Sequence, residues 1–224
     1  MAGKGDGAPR CQPCDPRPVV QLRDPSRLTS EEYVAQKGWL KASLERCPVH
    51  PEGGCGFSAY GTYGRKTPAG MHIARCYCPQ ARRTFSLLPD CLASRLSGSL
   101  DELEAVVARV EGARSVEAAA DELRPEIELP GAVRWVRRRL KLVRATLVAL
   151  VTLMPDVLGG EAHLGAVRLA LGNERALVTL RERGADHLTR LPHPLGFLPP
   201  SRCGSKREQA SQHDLGPDPP ADTG

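Results

Sequence analysis

Residues 47–79 read CPVHPEGGCGFSAYGTYGRKTPAGMHIARCYCP. Glycines and prolines break this stretch every few residues. The pieces left between them are short: Phe57 to Tyr63, Met71 to Tyr77 and, just beyond, Thr84 to Leu88. They predict small strands joined by turns, with Thr67-Pro-Ala-Gly70 at a hairpin tip. So few apolar side chains cannot hold a fold by burial alone, so the segment needs a staple. Cys47-Pro-Val-His50 and Cys55-Gly form one ligand group, and Cys76-Tyr-Cys78-Pro forms a second, about 20 residues further on. Two such groups on turns are the layout of a zinc ribbon. Thiolate and imidazole suit tetrahedral zinc, and its binding free energy replaces the missing core. The candidate ligands are Cys47, His50, Cys55, Cys76 and Cys78. Cys47, Cys55 and Cys78 are expected to meet, with either His50 or Cys76 as the fourth ligand. The alternative is a small packed β module in which these cysteines are free buried thiols.

Outward from this module the chain changes character on both sides. Upstream, Thr29-Ser-Glu-Glu32 opens a short helix, with Val34, Leu40 and Leu44 as its apolar side and Trp39 beside them. Residues 1–18 hold four Pro and three Gly without apolar periodicity and read as a flexible tail. Cys11-Gln-Pro-Cys14 inside it is a lone pair, more consistent with no function than with metal or redox chemistry. Downstream, Ser99-Leu-Asp-Glu102 is a capping box, followed by Leu100, Leu103, Val106, Val107 and Val110 at helical spacing. Ser115 caps a second, shorter helix through Leu123. Pro130 sits in the first turn of a third, which runs to about Met154, where Pro155 stops it. Residues 160–183 predict one or two more helices, and the chain past Pro192 is rich in Pro, Ser, Gly and charge. The fold class is therefore mainly α with a small β zinc-ribbon-like module, a helix-turn-helix-like three-helix unit with a long third helix, and disordered tails. The expected divisions are a flexible tail at 1–28, the ribbon-like module with its leading helix at 29–95, a helical domain at 96–192 and a disordered tail at 193–224.

Charge is concentrated rather than spread. The formal net charge is only +5 over 224 residues, yet no acidic residue lies between Glu52 and Asp90, where Arg65, Lys66, Arg75, Arg82 and Arg83 occur. Residues 131–144 read GAVRWVRRRLKLVR, with six bases and no acid, whereas residues 99–128 carry nine acids and three bases. At 100° per residue, Arg134, Arg137, Arg138 and Lys141 share one helix face, opposite Val133, Val136, Leu140, Val143 and Leu147. One side docks on the protein and the other is left for a polyanion. The competing reading pairs these arginines with the acids of the preceding helices. The order of a capped helix, an Ala118-Ala-Ala120 helix and the basic helix suits a helix-turn-helix, whose last helix places N-terminal residues at base edges. The connection before that helix is longer than usual.

Arg75-Cys-Tyr-Cys-Pro79 followed by Arg83-Thr-Phe-Ser-Leu-Leu-Pro-Asp90 resembles the end of the zinc-binding segment in bacterial insertion-sequence transposases and related mobile-element proteins. In those, a second knuckle leads into an Arg-Thr-Phe stretch and then a helix-turn-helix. Cys47-Pro-Val-His50 and Cys55-Gly-Phe57 are similar to the first knuckle, and the likeness covers about residues 45–145. It implies a DNA-binding front half without the acidic catalytic domain. The family's second knuckle supplies a further Cys or His where Ala81 to Arg83 stand here.

The expected function is therefore binding of double-stranded DNA without catalysis, by Arg65, Lys66, Arg82, Arg83, Arg134, Arg137, Arg138 and Lys141. The expected cofactor is zinc, with a homo-oligomer as an open possibility and no small-molecule substrate. The rivals are a structural or protein-interaction module and a degenerate transposase fragment. No Ser/His/Asp set, P-loop or dinucleotide fingerprint supports an enzyme. The longest apolar run, Ala145 to Met154, is too short for a membrane span of ~20 residues, and no signal segment opens the chain, so a cytoplasmic protein is expected. Nine aromatic residues are few for a single-strand stacking platform.

Overall fold

The computed structural model describes residues 20–158 and 160–197. The Cys11 and Cys14 pair and the tails expected at 1–18 and beyond 199 lie outside the described residues. Strands β1 (Val20–Asp24), β2 (Ser58–Gly64), β3 (His72–Cys78) and β4 (Arg83–Pro89) form one sheet in the order β1-β4-β3-β2. β2, β3 and β4 are antiparallel neighbours, and β1 lies parallel to β4 at the edge. The hairpin tip falls where expected, closed by the Arg65 N–H donating to the Met71 carbonyl at 2.8 Å.

Alternation along β3 gives the sheet two different faces. Ala74, Cys76 and Cys78 point to a small core with Cys47, Cys55, Phe85 and Leu87. Ile73, with Leu88 of β4, joins the main core, which also takes in Tyr33, Met71 and the helices. The sheet is thus a shared wall. The expected division at residue 95 is a change of secondary structure, not a break in packing.

The helices are α1 (Ser30–Ala35), α2 (Leu100–Gly112), α3 (Val116–Leu123), α4 (Leu129–Leu153), α5 (Pro155–Leu158), α6 (Leu164–Leu171) and α7 (Ala176–Arg183). Both helix starts marked by the sequence carry capping boxes, Thr29 with Glu32 and Ser99 with Glu102, and Ser115 caps α3. Ala119 and Ala120 are fully buried where α3 crosses α4. α4 is 25 residues long, about 37 Å at ~1.5 Å per residue. It buries Val133, Val136, Leu140, Val143, Leu147 and Leu150.

α6 and α7 lack side-chain caps of their own. Acids of α2 satisfy their first N–H groups instead. Buried Glu104 accepts from the Ala176 and Leu177 N–H groups at 3.0 and 2.8 Å and from Arg168 Nε at 2.8 Å. Glu111 accepts from Leu164 and Gly165, and Asp101 holds Arg175 through two 3.0 Å bonds. Negative charge at a helix N-terminus is favourable, so these acids fix α6 and α7 on α2.

Arg181 of α7 is fully buried. Its guanidinium donates to the carbonyls of Leu195, Pro194, Pro89, Asp90 and Leu92. Burial pushes its pKa down to about 10, still charged at neutral pH. Five carbonyls from two chain segments thus share one cation.

Three expectations need correction. Residues 20–24, placed in the flexible tail, are a strand: Val20 and Leu22 pack on the small core, and Arg23 makes a two-pronged pair with Asp90 at 2.8 and 2.7 Å. Residues 193–197, placed in the disordered tail, are packed, with Leu195 buried and Ser94 Oγ donating to the Gly196 carbonyl at 2.6 Å. The leading helix is only six residues long and buries Tyr33 rather than Leu40, which is 72% exposed. Lys37 turns left-handed (φ 50°) directly after it, and Gly38 lies so close to Tyr33 that a Cβ would meet the ring at 2.4 Å. Among the described residues no helix is long and apolar enough to cross a membrane.

Candidate metal centre and basic surface

The loop before β2 carries Cys47, His50 and Cys55, and the end of β3 carries Cys78. Gly53 and Gly54 take positive φ values of 87° and 75° between His50 and Cys55, a conformation that side chains with a Cβ resist. The loop can therefore curl back so that all three of its ligands face Cys78. The four ligand atoms lie within 4.8 Å of one another. His50 Nδ1 is 3.7 Å from Cys47 Sγ and 3.4 Å from Cys78 Sγ. A tetrahedron with bonds of ~2.0–2.3 Å has edges of roughly 3.5–3.8 Å, so these separations suit a single ion.

Backbone N–H groups converge on the sulfurs as well. Val49 and His50 donate to Cys47, Phe57 to Cys55, and Ala81 to Cys78 at 3.3 Å. Burial pushes the Cys47 thiol up, but the backbone donors and the His50 and Cys78 side chains outweigh it and bring its pKa down to about 6. One thiolate is thus available at neutral pH before any ion adds its own charge. Cys55 moves the other way, because burial dominates there. Cys47, His50, Cys55 and Cys78 can together hold a metal ion.

His50 therefore completes the cluster as its fourth member, and Cys76 stands outside it. Cys76 and Cys78 share a face of β3 but sit two residues apart, about 6.6–6.8 Å along a strand. Only the strand-end sulfur comes within reach of Cys47, His50 and Cys55. Cys76 is buried beside Ala74 and Phe85, where the Leu44 N–H donates to its sulfur and burial raises its pKa. Three of the four candidate ligands come from the loop and one from the strand. The remaining described cysteine, Cys91, is fully buried in the main core, with burial pushing its pKa up to about 12.

The expected basic residues divide. Arg65 does not face solvent freely: its guanidinium donates to the carbonyls of Ala93 and Leu96, and burial lowers its pKa. It ties the hairpin to the loop before α2 and is no longer a DNA-binding candidate. Lys66, Arg82 and Arg83 are exposed on turns and a strand end. Arg134, Arg137, Arg138 and Lys141 are all exposed along α4 and line one open surface with Pro130 and Val133. Among the described residues only one ion pair touches this face, Arg137 with Glu117 at 2.9 Å, and both partners are exposed. Asp101, Glu104 and Glu111, which the competing reading would set against these arginines, are engaged by α6, α7 and Arg175 instead.

Arg139, in the same basic run, has a different position. It stacks 3.7 Å from the centre of the Trp135 ring, with Arg124 4.8 Å from the same ring. Burial and the neighbouring Arg124 and Arg138 bring its pKa down to about 10. Its place 140° round the helix from Arg134 is legible in the sequence, and so is Trp135 at i−4, the spacing at which helix side chains meet.

The chain matches no protein-family model, no curated protein and no solved structure.

Proposed function

We propose that this chain is a zinc-stapled DNA-binding protein without catalysis of its own, in which α4 lies against duplex DNA. The observation that carries the reading is the exposed cationic face of α4, on which Glu117 makes the one ion pair among the described residues, while Asp101, Glu104 and Glu111 of α2 are engaged by α6, α7 and Arg175. A structural cluster of arginines is normally balanced by carboxylates. Arg134, Arg138 and Lys141 have no ion-pair partner among the described residues, and phosphates would supply the missing charge. The position of α4 as third helix of a capped three-helix unit puts Arg134, Arg137 and Arg138 near its N-terminal half, where recognition helices read base edges. Lys66, Arg82 and Arg83 add cationic charge for phosphates from the sheet. Three cysteines and one histidine within reach of a single ion suit zinc better than magnesium or calcium, which prefer oxygen ligands. Its role is structural, since all four positions of the tetrahedron are protein ligands.

The test is a gel shift on random-sequence duplex DNA at two salt concentrations. Arg137→Glu with Arg138→Glu should weaken binding strongly and flatten the slope of log affinity against log salt by about 0.9 for each phosphate no longer neutralised. Arg168 and Arg175 are unsuitable as controls, because both hold buried or partly buried carboxylates. Exposed Lys41 and Arg183 serve instead, reversed together to glutamate. Equal weakening in the two double variants would reduce the binding to diffuse electrostatics and remove the functional support for α4.

A second reading rests on the other half of the same helix. Beyond Lys141 the exposed stripe continues through Ala145 to Val148, which is 56% exposed. Such a stripe favours docking of a second protein or a second copy. Sedimentation equilibrium of the parent and Val148→Asp chains decides it: a dimer that dissociates in the variant supports docking between copies.

A further inference from the structure

The sheet carries a second surface that the DNA-binding face of α4 leaves unused. On the side away from the metal, Gln21 of β1 lies opposite Ser86 of β4, and Ser86 lies opposite Arg75 of β3. Each has a buried polar atom without a hydrogen-bond partner: Gln21 Oε1, Ser86 Oγ and Arg75 Nε. An isolated orphan is common enough, but three in one cross-strand row, spaced by the ~4.8 Å of a β ladder, are not. The row ends in rings. Tyr77 follows Arg75 on the same face of β3 and stacks on Tyr60 of β2, with centroids 5.3 Å apart. The Arg75 guanidinium lies over Tyr60 at 5.5 Å and over Tyr63 at 5.6 Å. Tyr60 is 54% exposed. The low aromatic content argues against a stacking platform only if the rings are dispersed. Three of the chain's four tyrosines are gathered here.

We propose that this face binds single-stranded DNA, with one or two unpaired bases stacked on Tyr60 and Tyr77. Stacking requires an open ring face, and Tyr60 supplies it. The orphaned atoms are buried, Ser86 wholly so, and what the row offers at the surface is the Arg75 guanidinium beside the rings of Tyr60 and Tyr63. In a duplex both faces of each base are covered by its stacked neighbours, so only an unpaired strand offers a free base face to Tyr60. Charge agrees with the choice: residues 53–89 contain no acid, and Arg75 has no carboxylate partner among the described residues. Aromatic stacking beside a cationic, acid-free surface is the general device for holding single strands.

This surface is separate from α4, and the two are tested apart. The probe is a short fluorescein-labelled oligothymidylate, which forms no duplex, titrated with the full chain by anisotropy at low salt. Oligouridylate and a random-sequence duplex are run in parallel. Tyr60→Ala is expected to weaken oligothymidylate binding about tenfold, the scale of one base stack, and to leave duplex binding unchanged. Tyr60→Phe keeps the ring and should bind as the parent does. Arg137→Glu with Arg138→Glu should do the converse, weakening the duplex and sparing the single strand. No binding of oligothymidylate by the parent chain overturns the proposal, whatever the duplex result. So does an equal weakening of both DNA forms in Tyr60→Ala, or a Tyr60→Phe variant as weak as Tyr60→Ala. Oligouridylate bound more tightly than oligothymidylate overturns the assignment to DNA.

Discussion

On one side of β3 the buried residues are Ala74, Cys76 and Cys78, and four of the seven members of the core they enter are cysteines. On the other side Ile73 enters a core of leucines and valines contributed by α2, α4, α6 and α7. The second core stabilises itself by area, at roughly 25 cal/mol per Å² of apolar surface removed from water. The first cannot. Thiols that converge on a histidine without an ion leave charged and polar groups buried at close range, and Phe85 and Leu87 are too little to offset that. With the proposed ion in place, the same sheet is held from its two faces by different physics, coordination on one and apolar burial on the other. Each expected outcome below breaks or sharpens that contrast.

The largest effect is expected from metal removal. Chelation, or Cys78→Ser, should cost several kcal/mol on the cysteine side, since structural zinc in small domains supplies on the order of 10 kcal/mol. Helical circular dichroism should largely survive while the protons of Tyr60 and Tyr77 shift away from their native positions. Simultaneous collapse of both signals would show one cooperative unit and erase the contrast. Arg181→Met comes next, at about 3–5 kcal/mol by thermal unfolding, because it leaves five carbonyls without their shared donor. Here both sides should fail together, since Arg181 joins the end of β4 to the helices. Ser99→Ala removes one cap of α2 and should cost about 1 kcal/mol, confined to the apolar core.

The smallest effect concerns pH. Burial raises the pKa of Asp24 despite the hydrogen bond from Tyr33 at 3.0 Å. A raised folded-state value favours the protonated form, so its contribution is present at acid pH and is lost as pH rises through that value. Asp24→Asn, which keeps an acceptor for Tyr33, should be more stable than the parent at neutral pH by less than about 1 kcal/mol. The difference should vanish below the ordinary carboxylate range. A stability difference that persists unchanged down to pH 3 would assign the effect to something other than titration.

Much of this arrangement is legible in the sequence where a local rule governs it. Capping boxes, the Pro130 start and Pro155 stop of α4, and the hairpin at Thr67 to Gly70 depend on neighbours a few residues away. The ligand group is legible too, because metal geometry demands its spacing. The choice of His50 over Cys76 is not. It depends on which sulfur stands at the end of a strand, and that boundary is set by pairing with β4. The edge strand at Val20 escapes for the same reason: five residues with no turn signal become a strand only when Phe85 to Pro89 stand beside them. Arg65 misleads because a basic residue in a basic stretch looks free until the carbonyls of Ala93 and Leu96 come into place. The sheet-face tyrosines can be counted in the sequence but not located, since composition carries no coordinates.

The clamp at Arg181 has a consequence for the order in which the chain is made. A ribosome delivers residues 20–89 first, and they contain every metal ligand of the described centre. The cysteine side can therefore close on the proposed ion while the helices are still being synthesised. The end of β4 must wait roughly a hundred residues for Arg181 and then for the carbonyls of Pro194 and Leu195. Until they emerge, Leu88 and Ile73 face water, and the nascent chain depends on its first-formed half for whatever protection from aggregation it has.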